Sequence, residues 1–252
     1  MGVQLQEVVA HLDDLLAYPG LKDASLNGLQ IEAGDEVKRI ALAVDAAQVT
    51  IDAAVEHDCD LLLVHHGLFW GSDQPLLGAL GRRVGAAFRG GLSIYASHLP
   101  LDVHAEVGNN ALLADALGAE RERAFGDLGG VDIGTIGAFE KPLPLAELES
   151  RVAAAGCADQ TVWRFGPDPV TNVAVLTGSG CSFLAEAVAA GAECFITGES
   201  RHSAYHEASE AGISCIFAGH YATEVFGVQA LGRRLTAEFG VDTQWIEHPT
   251  GV

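Results

Sequence analysis

Lysine is scarce in this 252-residue chain, which has only Lys22, Lys38 and Lys141, and the formal net charge is −20 at pH 7. A surface this acidic repels phosphate backbones, so we expect no general binding of nucleic acids. The same shortage of basic residues suggests adaptation to high salt, a hypothesis that the salt dependence of stability would test.

Long apolar runs are missing as well. No run reaches the roughly 18 residues that span a bilayer, so we expect no membrane-spanning helix and no membrane partner. The first ten residues contain no basic region followed by an apolar stretch, so the pattern of a secretion signal is absent there. We therefore expect a cytoplasmic protein.

Paired cysteines are also lacking. The five cysteines are an odd number, and none forms a C-x-x-C pair. Several lie inside apolar runs, which is typical of small buried hydrophobic residues in a reducing compartment. The five are Cys59, Cys157, Cys181, Cys194 and Cys215.

What the chain does contain is the composition of a folded protein, with 49% hydrophobic and 19% charged residues. Buried strands alternate with helices in both parts of the chain, which predicts an α/β fold with mixed sheets flanked by helices. Predicted strands cover 40–44, 61–64, 92–96, 173–176, 194–197 and 213–218. Predicted helices cover 4–17, 50–56, 78–88, 145–154, 183–190 and 205–211.

The two parts share one spacing. The starts of the first two strands are 61 − 40 = 21 residues apart, and the matching strands of the second part give 194 − 173 = 21. We interpret this as an internal pseudo-repeat. The predicted division is an N-terminal α/β half, 1–125, and a C-terminal α/β half, 126–252, with the segment after about 220 a candidate to pack back on the first half.

Polar residues follow equivalent strands in the two halves. The second strand runs into His65 and His66. After the third strand of each half comes a histidine and, four residues on, a carboxylate (102 − 98 = 4; 224 − 220 = 4). Ligands of open α/β sheets bind at the carboxyl ends of strands, so we expect these side chains to meet in one site between the halves.

The chemistry of this set favours metal ions. Imidazole and carboxylate ligands suit Zn, Fe, Mn or Ni, and the lack of cysteine argues against a purely structural zinc site. Five or six ligands exceed the needs of one catalytic ion, whereas two ions roughly 3.5–4 Å apart would use them all. Without ions, adjacent buried histidines would need several other polar partners.

Three weaker features lie nearby. Phe69 and Trp70 could stack a flat substrate ring or pack in the core. The glycine turn 177–180 could cradle a phosphate. Glu199 occupies the position of His66 in the second half (66 + 133 = 199), as a proton carrier or as a group that orients a ligand.

At these residues the sequence resembles the NIF3-like family, whose members are often labelled GTP cyclohydrolase 1 type 2 homologs. The resemblance runs through nearly the whole chain and matches the short form, without an inserted domain. It is carried by 27–30 (NGLQ), 62–70 (LLVHHGLFW), 98–102 (HLPLD), 108–110 (GNN), 196–199 (ITGE) and 218–224 (AGHYATE).

The resemblance implies two divalent metal ions per subunit, bound by His65, His66, Asp102, His220 and Glu224, with Glu224 bridging. It also implies a toroidal homohexamer. His98 matches a family histidine beside the site, so we expect it to transfer protons as a catalytic residue together with Glu199.

Two classes of function remain open at this stage. The first is a metal-dependent hydrolase acting on a nucleotide such as GTP, or on a phosphoester. The second is a non-enzymatic, metal-binding or regulatory hexamer. Turnover of nucleotides and phosphoesters by metal-loaded protein would distinguish them.

Overall fold

The computed structural model describes residues 2–252 and divides them into two compact units. Unit 1 comprises the chain up to Leu101 together with Gly227–His248, and unit 2 comprises Asp102–Phe226 with Pro249–Val252. Elements up to residue 102 are β1 (Val3–Gln4), α1 (Leu5–Leu15), β2 (Gly28–Ile31), β3 (Glu36–Val37), β4 (Arg39–Asp45), α2 (Gln48–Glu56), β5 (Leu61–His66), α3 (Gly78–Arg89), β6 (Ser93–Ala96) and α4 (Leu99–Asp102).

The remaining elements begin with α5 (Asn109–Leu117), a long hairpin and α6. In chain order they are α5, β7 (Glu120–Asp127), β8 (Asp132–Leu143), α6 (Leu145–Ala154), β9 (Thr161–Trp163), β10 (Val170–Leu176), α7 (Leu184–Ala189), β11 (Cys194–Thr197), α8 (Ala204–Ala211), β12 (Ser214–Phe217), α9 (His220–Thr223), α10 (Val225–Phe239) and β13 (Asp242–Trp245).

Unit 1 is built on a five-stranded sheet in the order β13-β4-β5-β6-β2. The first four strands are parallel and β2 is antiparallel to β6, so the sheet is mixed. Its central strands are continuous aliphatic runs, as expected for strands covered on both faces. Ile40, Leu61, Leu62 and Ile94 are fully buried.

Unit 2 holds a six-stranded sheet in the order β7-β8-β10-β11-β12-β9. Strands β10, β11 and β12 are parallel, while β8 and β9 are antiparallel to the strands they flank. The mixed α/β class predicted from the sequence is therefore confirmed.

The 21-residue spacing appears directly in the strand registers. Ile40 pairs with Leu61 in unit 1, and Val173 pairs with Cys194 in unit 2. Each pair begins a set of three parallel strands, β4-β5-β6 or β10-β11-β12. Residues with the same offset therefore occupy equivalent places in the two sheets.

Several parts of the chain differ from the expectation, and α5, β2, β9 and β13 are among the elements that were not predicted. The glycine-rich stretch after residue 120 contributes to the β7–β8 hairpin, which was not predicted. The predicted helix 183–190 is a short 3-10 turn at Gly180–Phe183 followed by α7. The 15-residue α10 was not predicted either.

All five cysteines are buried and unbonded, as the sequence predicted. Burial raises the pKa of the Cys157 thiol to about 11 and that of Cys215 to about 12, so neither is a thiolate near neutral pH. Within residues 2–252, no helix has the length and apolarity needed to cross a membrane.

Candidate metal centre

The histidine pair of unit 1 forms the end of β5. Leu61–Val64 is fully buried, and the same strand continues into His65, which is also fully buried, and His66. The register pairs His66 with Asp45, the last residue of β4. Their side chains meet, with His66 Nδ1 lying 2.9 Å from Asp45 Oδ1.

The third histidine of unit 1 lies beside this pair. The ring centroid of His98 is 5.1 Å from that of His65 and 5.6 Å from that of His66. Each of the three residues offers a ligand atom, and these atoms all lie within 4.8 Å of one another. His65 Nδ1 lies 2.9 Å from the Ser97 carbonyl oxygen, and His98 Nδ1 lies 2.8 Å from Asp23 Oδ1.

Unit 2 brings together a histidine and two glutamates. His220 and Glu224 are four residues apart on the turn of α9, and His220 Nε2 lies 3.1 Å from Glu224 Oε2. His220 Nδ1 contacts Glu199 Oε1. Burial alone would lower the pKa of His220, but the two carboxylates outweigh it and raise that pKa from 6.5 to about 9. A proton therefore holds these side chains together at neutral pH when no metal ion competes for them.

Two glycines make room for the side chains in unit 2. A Cβ on Gly178 would lie 2.1 Å from Glu224 Oε1, and one on Gly198 would lie 2.7 Å from the His220 Cα. Gly178 also has φ +64°, where a side chain is strained. Glycine is needed at both positions because Glu224 and His220 pack directly against the backbone there.

Asp102 is buried and fixed by polar neighbours. Asn109 Nδ2 donates to Asp102 Oδ1 at 2.8 Å, and Thr177 Oγ1 donates to the same oxygen at 3.2 Å. Asn110 Nδ2 donates to the Asp102 carbonyl oxygen. Thr177 and Gly178, neighbours in sequence, thus contact the two predicted carboxylate ligands of unit 2.

One feature is shared by all four histidines at these strand ends. In each, Nδ1 faces an acceptor, which is a backbone carbonyl for one ring and a carboxylate for the other three. In a neutral ring such a partner keeps the proton on Nδ1 and leaves the lone pair on Nε2, the usual arrangement of metal-binding imidazoles. The residues are His65, His66, His98 and His220.

This donor set fits divalent metal ions. Two ligands at about 2.0–2.2 Å from one ion lie roughly 3 Å apart, close to the His220–Glu224 separation. The ligand types are nitrogen and carboxylate oxygen, which suit Zn, Fe, Mn or Ni. Unit 1 offers His65, His66 and His98 as donors, and unit 2 offers Asp102, His220 and Glu224.

Comparisons with known proteins identify the family of this chain. Residues 3–250 match the family described as Duf34/NIF3 (NGG1p interacting factor 3). The chain belongs to the Duf34/NIF3 family. A Halobacterium salinarum relative called a GTP cyclohydrolase 1 type 2 homolog is 44% identical over 254 residues, covering 99% of this chain and all of that protein.

A Duf34/NIF3 relative of the same name from Archaeoglobus fulgidus is 43% identical over 250 residues, again covering 99% of this chain and 100% of its own. Among solved structures, a protein called ybgI, of unknown function, matches with a TM-score of 0.91 at 33% identity. That match covers 99% of this chain and 100% of the other. Similarity thus extends over the whole Duf34/NIF3 chain.

Other predicted features have defined places in this Duf34/NIF3 chain. The Trp70 ring lies 4.9 Å from His98 and 5.8 Å from His66, and its Nε1 donates to the Gly67 carbonyl oxygen. Phe69 packs against the unit 1 core. Glu199 contacts the His220 ring, and both of its predicted roles, proton transfer and orientation of a ligand, stay predictions.

Four residues of the site were missed by sequence reasoning: Asp23, Asp45, Asn109 and Asn110. Asp45 carried a usable signal, because it precedes His66 by 66 − 45 = 21 residues, the register offset of the first two strands. The two asparagines lie in the GNN motif, but nothing in their spacing indicates Asp102 as the partner.

Proposed function

We propose that this protein is a hydrolase dependent on two divalent metal ions per subunit. The observation that carries the proposal is the acceptor at Nδ1 of all four histidines, which leaves Nε2 as the ligand nitrogen in His65, His66 and His220 and as the basic nitrogen in His98. In the proposal the ligands are His65, His66, Asp102, His220 and Glu224.

Each residue has a task in this mechanism. Divalent ions held by these five residues would supply an activated water and an electron-withdrawing centre for the substrate. Glu224, packed against Gly178, is the carboxylate proposed to serve both ions. Glu199 holds the His220 ring in place, and His98 accepts and returns a proton at Nε2.

The proposed substrate is a nucleotide. Two relatives that match this chain over their full length carry the name GTP cyclohydrolase 1 type 2 homolog, which supports that substrate class. Hydrolysis at a carbon of the purine ring is one form of the reaction, and hydrolysis of a phosphoester is the other. Trp70, fixed beside His66 and His98, supports a flat ring at the site.

The deciding experiment combines metal content with turnover. Protein loaded separately with Zn²⁺, Mn²⁺, Fe²⁺ and Ni²⁺ is analysed for bound metal and then incubated with GTP, other nucleotides and phosphoesters. We expect two ions per chain and one metal-dependent product. One ion or none at saturating metal contradicts the dinuclear centre, and two ions without any turnover favours the non-enzymatic metal-binding alternative.

Three variants assign the roles. Glu224→Ala should lose more metal than His98→Ala, because a bridging carboxylate serves both ions. His98→Ala should reduce turnover by roughly 10² to 10⁴ while keeping its metal, the usual scale for a general acid or base. His66→Ala should lose metal and turnover together. Parallel loss of both in His98→Ala would make His98 a ligand or a structural residue.

We further propose a cytoplasmic homohexamer. Five buried, unbonded cysteines support a reducing compartment. Leu76, Leu77 and Phe88, in and just before α3, each expose more than half of their surface, which supports burial against another subunit. Light scattering at moderate and high salt tests the assembly, and a monomer in both conditions contradicts it.

A further inference from the structure

Asp23 is a nearly buried carboxylate surrounded by hydrogen-bond donors. Only 6% of its side chain is exposed. Oδ1 lies 2.9 Å from the Ser25 backbone nitrogen and 2.8 Å from His98 Nδ1. Oδ2 accepts from Asn27 Nδ2 at 2.9 Å and from the Leu99 backbone nitrogen at 3.0 Å.

Three of these four donors cannot change roles. The Ser25 and Leu99 nitrogens are backbone N–H groups, which only donate. The amide of Asn27 is oriented by its other end, because Asn27 Oδ1 accepts from the His98 backbone nitrogen at 2.7 Å. Asp23 is therefore held as an acceptor, and the proton of the neutral His98 ring must lie on Nδ1.

The same contacts prevent the ring from turning away. The backbone of His98 is bound by Asn27, and the following residue by Asp23. With Nδ1 directed at Asp23, the lone pair lies on Nε2, on the opposite side of the ring. The rings of His65, His66 and Trp70 are neighbours of His98 in this unit.

We infer that Asp23 is a positioning residue that fixes the Nδ1–H tautomer of His98 and so makes Nε2 its basic nitrogen. The inference deepens the proposed function and rests on it for the catalytic step. There, His98 Nε2 takes a proton from water, the ring becomes an imidazolium, and Asp23 stabilises the new charge through Nδ1–H until the proton passes to the leaving group.

Exchange of Asp23 for asparagine separates orientation from packing. The amide keeps the size of the carboxylate but replaces one acceptor oxygen with an NH2 donor. On the Oδ2 side this NH2 would face two fixed donors, Asn27 and Leu99. On the Oδ1 side it would face only one, Ser25, because the His98 ring can switch to accept. The favoured arrangement therefore moves the His98 proton to Nε2.

The test is the tautomer of His98, read by two-bond 1H–15N correlation in full-length, zinc-loaded protein with labelled histidines and again after treatment with EDTA. A His98→Gln spectrum assigns the signal. We expect Nδ1–H in the wild type and Nε2–H in Asp23→Asn. The matched control is Asp45→Asn, which should alter the His66 signal and leave the His98 signal unchanged.

The inference is overturned by Nε2–H or an equal mixture in the wild type, a result that does not depend on any variant folding. It is also overturned by an unchanged His98 signal in folded Asp23→Asn. Where a substrate is turned over, Asp23→Asn should lower kcat roughly 10²- to 10⁴-fold at unchanged metal content. Absence of turnover in the wild type contradicts the proposed function, while the tautomer still decides the role of Asp23.

Discussion

At the scale of single residues, the two repeats carry different polar residues at equivalent positions. Asp45 and His66 are opposite each other in unit 1, and the same offset leads to Gly178 (45 + 133 = 178) and Glu199 (66 + 133 = 199) in unit 2. Glycine replaces the aspartate because Glu224 fills the space that a side chain would need. The repeat therefore preserves the backbone and varies the ligands.

Gly178→Ala should damage the centre. The new Cβ would lie 2.1 Å from Glu224 Oε1, so the carboxylate must move, and we expect metal affinity to fall roughly 10- to 100-fold. Gly191→Ala is the control, since its φ is also positive (+80°) but no atom lies within 4 Å of the added Cβ. Competition with a zinc chelator measures both. Equal affinities for the two variants would contradict the close packing of Glu224.

The pKa of His220 predicts a pH dependence of the metal-free protein. Because the pKa of about 9 in the folded protein exceeds the ordinary 6.5, the protonated ring stabilises the fold fully below pH 6.5, and this contribution is lost as the pH rises through 9. Thermal unfolding of EDTA-treated wild type and His220→Gln should therefore differ most below pH 6.5 and converge by about pH 9.5. A difference that stays constant over this range would be inconsistent with the raised pKa.

The residues that sequence reasoning found and missed differ in the range of their contacts. The candidate histidines and carboxylates follow buried strands, so the strand pattern and the repeat located them, and the family resemblance selected the predicted ligands among them. Asp23 lies in an irregular segment and meets His98 75 residues later. No repeat or period fixes the path of such a segment, so its partner could not be predicted from the sequence.

At the scale of elements, the strands buried on both faces were predicted well. The strands and the helix that combine apolar residues with exposed residues or glycines were not. Strand β7 begins with Glu120–Arg123, which is exposed, and β8 contains glycines that read as a turn. Gly134 does not mark a turn. A Cβ added at this position would lie 2.5 Å from the ring of Phe125 on the paired strand, so a side chain would not fit. In α10, Gly232 similarly makes room for Leu42. Close packing, which sequence periodicity does not report, explains both misses.

Asn110 links several elements of unit 2, and its loss should destabilise the fold. Its side chain donates to the carbonyl oxygens of Asp102 and Ile133 and accepts from the Thr177 nitrogen. Asn110→Ala leaves three buried groups without this partner, at about 1–3 kcal/mol each. The lower limit of about 3 kcal/mol in total corresponds to roughly 6–12 °C in Tm, and we expect Tm to fall by at least that much.

Asn172→Ala, on β10, is the matched control and should change stability by less than about 0.5 kcal/mol. Calorimetry of both variants decides the matter. A similar Tm for the two would mean that Asn110 does not connect these elements.

At the scale of the whole molecule, charge should govern stability. A net charge of −20 with 14 basic residues implies strong repulsion within the folded chain, and added salt screens it. Tm should rise as KCl increases from about 0.1 to 1 M, by roughly 2–4 °C for each kcal/mol of repulsion removed. Sucrose at equal osmolality is the control for osmotic effects. A Tm insensitive to KCl would end the hypothesis of adaptation to salt.

Because the chain returns to unit 1 near its end, the two units are completed at different times during synthesis on the ribosome. Strand β13 pairs with β4 across 242 − 39 = 203 residues, whereas all six strands of the unit 2 sheet lie between Glu120 and Phe217. At roughly 5–20 residues per second, β4 waits about 10–40 s for its neighbour. During that time the backbone hydrogen-bonding edge of β4 is unpaired, so unit 1 is completed after unit 2 and we expect it to be the unit more exposed to non-native strand pairing.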